Sequence, residues 1–276
     1  METMFATQAY RHIGFCIYCG SKRPPLTREH VIPKSLGGKI TPVGAHTAAV
    51  LGKASCEDCR RVTHAFETYC QRGLFGHLRV RLGMAQREIP NKVSGILRTT
   101  DGGFREVAGA PDDLPAFLVL PLFSTRAGLF APKADAPPKP EFFTREIFTP
   151  RPGSPFEYDE TGAFVSLRID QFQRMIAKIA LGTAMIRYGP KYFSSIVGPF
   201  IRGKEAGLHK YVFGFPSSQE KPPYMSETHL IQIRENSVSG VRYLIGFVRL
   251  FAIFGAPTYG VVIGTVNSTH EPERRV

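Results

Sequence analysis

Apolar residues recur at helical spacing over residues 56–72, where Val62, Phe66, Tyr69 and Cys70 fall on one face. Ser55 is placed to cap this helix, with Asp58 three residues on, and Gly73 to stop it. Residues 74–84 predict a short second helix with Arg79 and Arg81 turned outward. Another helix starts at Asp170 and carries Phe172, Ile176, Ile179 and Ile186 in one stripe. Gly189-Pro190 ends it and opens a further helix, with Phe193, Val197 and Phe200 on one side. Elsewhere the apolar runs are short and strand-like. They cover residues 27–32, ended by Pro33, and a hairpin over residues 93–107 that turns at Asp101-Gly102-Gly103. Residues 116–123 form another run, and residues 229–234, 242–251 and 259–265 read as an antiparallel sheet. Residues 40–54 leave strand and loop both open. The fold class is α+β. The chain divides into residues 1–90, a strand-rich connector over 91–155 with a proline-rich linker, and a mixed helix and antiparallel-sheet part over 156–276. The linker holds four prolines in residues 131–140.

The first segment carries the chemistry. Cys16 and Cys19 form one Cys-x-x-Cys pair, and Cys56 and Cys59 a second. Four thiolates in two tight pairs match a closed tetrahedral zinc site, with no open position for substrate, so this zinc is structural. Gly20 supplies the positive φ that such a knuckle turn uses. Cys70, the fifth cysteine, reads as a small buried apolar residue. Cysteine usage of this kind belongs to a reducing compartment, which places the chain in the cytoplasm. No apolar run reaches the ~18 residues of a membrane span.

Charge adds a partner. The formal net charge is +12, and residues 1–92 hold 14 Lys/Arg against 6 Asp/Glu, whereas the rest holds 21 against 17. A basic surplus gathered on a cysteine module suits a polyanion, with Arg60, Arg61, Arg79 and Arg81 as candidate phosphate contacts. The alternative is a solvated surface.

In order, the segment reads knuckle, strand with Glu29-His30, Gly37-Gly38, second cysteine pair, helix. This resembles the HNH endonuclease family, which has a ββα-metal fold. The matching residues are Cys16, Cys19, the stretch Glu29-His30-Val31-Ile32-Pro33-Lys34-Ser35-Leu36-Gly37-Gly38, and Cys56 and Cys59, within about residues 15–67. The whole chain is similar to a bacterial HNH group with an added C-terminal domain. A fainter likeness lies in Ala177-Lys178-Ile179-Ala180 and Ala256-Pro257-Thr258-Tyr259. The resemblance implies metal-dependent hydrolysis of phosphodiester bonds in nucleic acid, with DNA favoured over RNA by family analogy. It implies that His30 is the general base and that Glu29 binds a catalytic magnesium or manganese ion, apart from the zinc. His titrates near neutrality and suits a base; hard oxygen ligands suit those cations. Neighbouring side chains on a strand face opposite ways, so Glu29 and His30 serve one site only if a twist splays them.

Two departures stand beside the match. Arg60 follows the last cysteine where many four-cysteine members carry Asn, and residues 31–63 contain no Asn. His64, one helical turn beyond Arg60, is the candidate for the final metal ligand, with Glu67 the next acidic group on that face. The missing Asn favours a second reading, in which a degenerate, non-catalytic zinc module binds nucleic acid or a protein partner. The intact Glu29-His30 favours the enzyme.

Overall fold

A computed structural model describes residues 10–37, 49–84, 90–130, 141–159, 163–164, 168–205, 209–215 and 228–267. The elements run β1 (Tyr10–His12), β2 (Leu26–His30), β3 (Val50–Cys56), α1 (Glu57–Thr68), α2 (Gly76–Arg81), β4 (Val93–Arg98), β5 (Phe104–Gly109), β6 (Ala116–Leu122) and β7 (Glu141–Phe148). They continue with β8 (Ala163–Phe164), α3 (Ile169–Tyr188), β9 (Phe193–Ser195), α4 (Gly198–Ile201), β10 (Val212–Phe215), β11 (His229–Val238), β12 (Val241–Leu250) and β13 (Thr258–Val266). The fold is mixed α+β with mainly antiparallel sheets. β3 lies between β1, which it pairs in parallel, and β2, which it pairs antiparallel. β4 pairs β5 and β8, and β6 pairs β7. The largest sheet has the order β10-β13-β12-β11, with β9 on β13.

Helix α3 organises the rest. Its buried residues include Phe172, Met175, Ile176, Ala177, Lys178, Ile179, Ala180, Leu181 and Ala184, which cover most of its sides. A helix buried on most of its sides belongs inside a core, not on its edge. One hydrophobic cluster accordingly joins Cys16, Val31, Leu36 and Phe66 from the first segment to Met175 and Ile179 of α3 and to Leu244 and Ile263 of the large sheet. Gly182 of α3 lets the helix approach Val31, whose methyl would stand 3.0 Å from a Cβ there. A smaller cluster of Leu97, Val107, Leu114, Phe117 and Val119 sits in the connector.

The sheet strands, the 93–109 hairpin and α3 lie where the sequence pattern puts them. Other boundaries move. α1 begins at Glu57, its N-cap is Cys56, and Ser55 lies in β3 with its hydroxyl on the carbonyl of Cys56. The cysteine's position in the sulfur cluster fixes the helix start in place of a hydroxyl cap. The helix over residues 57–68 continues into a wider turn through Leu74 and does not stop at Gly73. The helix expected after Gly189-Pro190 is instead β9 and the single turn α4, because Phe193 adds to the edge of β13 at Val266. The proline-rich residues 131–140 lie outside the described residues.

His229 ties the first segment to the large sheet. Its Nδ1 accepts from the amide of Phe251 at 3.1 Å, so the proton sits on Nε2 and is donated to the carbonyl of Leu36 at 3.0 Å. Burial lowers this imidazole to about 4 from an ordinary 6.5. The unfolded chain therefore takes up the proton first as pH falls, and stability is lost from pH 6.5 down to about 4. The loss amounts to roughly 3 kcal/mol at the acid end of that window. Urea unfolding of wild type and His229→Gln between pH 7 and pH 4 should show a shallower acid slope in the variant. Equal slopes would remove His229 as the titrating group.

Candidate metal centre

The knuckle is built by short backbone bonds. Gly20 donates to the carbonyl of Cys16 at 2.8 Å, and Cys16 donates to that of Ser21 at 2.8 Å. Gly20 has φ +75°, the left-handed region expected of it. The amide of Ile17 donates to Ala54 and holds the knuckle against β3. Pairing of Leu26 with Cys56 brings the end of β3 beside the knuckle, and the first turn of α1 adds Cys59. The four sulfurs of Cys16, Cys19, Cys56 and Cys59 lie within 4.8 Å of one another. Cys19 Sγ and Cys56 Sγ are 3.7 Å apart. Tetrahedral zinc with Zn–S bonds of about 2.3 Å would set its sulfurs roughly 3.8 Å apart. The cluster can therefore hold a metal ion such as zinc. A hydrogen bond with Cys59 lowers the Cys16 thiol from its ordinary value.

Beside this cluster, strand alternation prevails. Glu29 faces inward and is buried, while Arg28 and His30 face out and are exposed. The pairing of β2 with β3 is irregular between Thr27 and Glu29, and Glu29 and His30 differ in burial. Glu29 Oε1 lies 2.8 Å from Lys178 Nζ, and Glu67 Oε1 of α1 lies 2.6 Å from the same nitrogen. The Lys178 side chain is 1% exposed and Glu29 7%. Lys178 also donates to the carbonyl of His30, with that of Val31 at 3.4 Å. Burial opposes the ammonium charge, but Glu29 and Glu67 outweigh it and hold Lys178 up at about 12. Burial pushes Glu29 up; Lys178 opposes this, and Glu67, competing for the same cation, adds to it. Glu29 is thus a partner of Lys178 and not, as the resemblance implies, an open ligand for magnesium or manganese.

His30 is the exposed last residue of β2. Partial desolvation, then the cations Lys178 and Lys34, lower its pKa, with Glu67 opposing. His64 is exposed on α1, 3.5 Å from the hydroxyl of Thr68. Among the described residues, the group of three or more His, Cys, Asp or Glu able to hold a metal is the four-cysteine cluster, and His64 is not part of it.

The expected arginine contacts divide in two. Arg60 and Arg61 are exposed, with their own-helix partners Glu57 and Asp58 at 2.8 and 2.5 Å. Such surface pairs are weak and can be exchanged for phosphate. Arg79 is not outward-facing: it is buried and donates to the carbonyls of Ser35 and Gln71 at 2.7 and 2.9 Å. Arg81 donates to Pro111, Leu114 and Thr149 and pairs with Asp112. Both are structural, because α2 packs between the motif loop and the connector and its arginines satisfy carbonyls that end there. The sequence reading passed over Lys22, Arg23, Arg28, Lys34 and Lys53, which are exposed along the knuckle, β2, the turn at residues 34–36 and β3 and make no ion pair among the described residues. It also missed Lys178 as a site residue. The signal for Lys178 was the faint likeness at Ala177-Lys178-Ile179-Ala180.

Compared with known proteins, the chain matches no family model, no curated protein and no solved structure. The HNH resemblance therefore rests on its motif residues. No helix among the described residues is long and apolar enough to cross a membrane.

Proposed function

We propose that this chain is an HNH-like, zinc-stabilised module that binds nucleic acid, DNA by analogy, without a divalent-metal hydrolytic centre. The observation that carries this reading is the buried ammonium of Lys178 between Glu29 and Glu67. It pairs both nearby carboxylates of the motif strand and helix. Binding itself is supported by the exposed Lys22, Arg23, Arg28, Lys34, Arg60 and Arg61 around the four-cysteine cluster. Of the zinc, Cys16, Cys19, Cys56 and Cys59 would be the ligands, and its chemistry would be structural.

Affinity for duplex DNA should fall with salt, each phosphate contact adding about 0.9 to the log–log slope. Replacing Arg28 and Lys34 by Ala should flatten that slope by roughly 2 if each meets one phosphate. Binding that ignores salt, or an unchanged slope in the double variant, would remove this surface as the interface.

A second reading, a metal-dependent phosphodiesterase, is favoured by His30, an exposed imidazole with a lowered pKa whose backbone carbonyl is anchored by Lys178. In that reading His30 takes a proton from water, a step worth about 10²–10⁴-fold. Plasmid, single-stranded, branched and RNA substrates with magnesium or manganese decide between the two. The binding reading expects no cleavage. Cleavage by wild type that His30→Ala abolishes, with binding retained, would replace it with the enzyme.

A further inference from the structure

Several oxygens close on one cation inside the molecule. Lys178 Nζ lies 2.8 Å from a Glu29 oxygen and 2.6 Å from a Glu67 oxygen, donates to the His30 carbonyl, and has that of Val31 at 3.4 Å. The oxygens come from β2, the residue after it and α1, whereas the cation arrives from α3, more than a hundred residues later in the chain. Two carboxylates surround one ammonium, so the cage carries one negative charge beyond neutrality. The buried phenol of Tyr18 lies against Glu29, to whose carboxylate it donates. Burial, then the charges of Glu29 and Glu67, push this phenol well above its ordinary value, which places it at the cage. A net-anionic, all-oxygen cage is the donor set of hard divalent cations.

We propose that Glu29, Glu67 and the carbonyls of His30 and Val31 form a cation site whose resident ion is the ammonium of Lys178, and that removing this side chain opens the site to a hard divalent cation. Calcium–oxygen bonds are about 2.4 Å, a few tenths of an ångström shorter than the two carboxylate contacts and about 1 Å shorter than that of the Val31 carbonyl, which has to move inward. A tethered ammonium fills the cage at no dependence on the supply of ions, and it fixes the end of β2 that presents His30 to solvent. The site is read without nucleic acid, so its test is separate from the binding reading.

The experiment uses the full chain with its knuckle metal in place, and calcium or magnesium alone as the probe. Hard cations prefer oxygen to thiolate, which keeps them from the cysteines. Lys178→Ala should gain one calcium per chain by calorimetry and an unfolding temperature that rises with calcium. Wild type should show neither. Lys178→Met removes the same charge but fills the space, and it should not respond. Glu29→Gln added to Lys178→Ala should remove the response. An alanine variant that calcium and magnesium fail to stabilise, including one that does not fold in either, overturns the proposal. A response that survives Glu29→Gln, or equals that of wild type, overturns it as well.

Discussion

Cys16→Ser is expected to cost the chain its metal and its cooperative fold together. Structural zinc in small cysteine modules supplies roughly 10–16 kcal/mol of apparent binding free energy. The net stability of a domain is about 5–15 kcal/mol, so losing even part of that exceeds the reserve. The knuckle does not stand apart. Cys16, Ile17 and Tyr18 are in the same hydrophobic cluster as α3 and the large sheet. The Tyr18 carbonyl lies so close to Gly198 that a Cβ there would meet it at 2.7 Å. Loosening the knuckle should therefore loosen α4 and α3, and the C-terminal part should not remain folded by itself. Wild type should contain one zinc per chain by elemental analysis, and a strong chelator should lower its unfolding midpoint sharply. Cys70→Ser should leave the zinc content unchanged, since Cys70 lies outside the sulfur cluster. A wild type free of zinc, or one whose midpoint ignores the chelator, would end the structural-metal reading.

Lys178→Met should be the most damaging single change away from the cysteines, at about 3–5 kcal/mol. It leaves Glu29 and Glu67 facing each other in the core with no cation, and the carbonyl of His30 loses its donor. Glu29→Gln should cost much less. Lys178 keeps Glu67, the buried net charge falls to zero, and the amide fits the same space. The asymmetry follows from two acids sharing one base, and a simple one-to-one pair would not produce it. In the double variant Glu29→Gln, Lys178→Met the isolated charge is Glu67, 16% exposed and able to reach water. The double variant should therefore be more stable than Lys178→Met alone. Denaturant midpoints of the four proteins give the coupling directly. Equal losses for the two single variants would mean that Lys178 acts through packing and not through charge.

The sequence by itself determined the local parts. Cys-x-x-Cys spacing brought together Cys16, Cys19, Cys56 and Cys59, because two tight turns need only local geometry and one strand pairing. Strand-like apolar runs located β11, β12 and β13, and the Asp101-Gly102-Gly103 turn located the β4–β5 hairpin. The stripe of Phe172, Ile176 and Ile179 found α3. Strand alternation posed the right question about Glu29 and His30, since it sets neighbouring side chains on opposite faces. What only the tertiary structure decided is which partners those side chains and the motif's carbonyls meet. Lys178 caps His30, Arg79 caps Ser35, and His229 caps Leu36. These donors come from three elements spread over 150 residues of chain, and no periodicity links them to the motif. A buried carbonyl must find a donor, but the sequence does not say which one. Long-range packing of α3 against α1 and β2 supplied Lys178, and with it turned Glu29 from an expected metal ligand into half of a closed ionic cage.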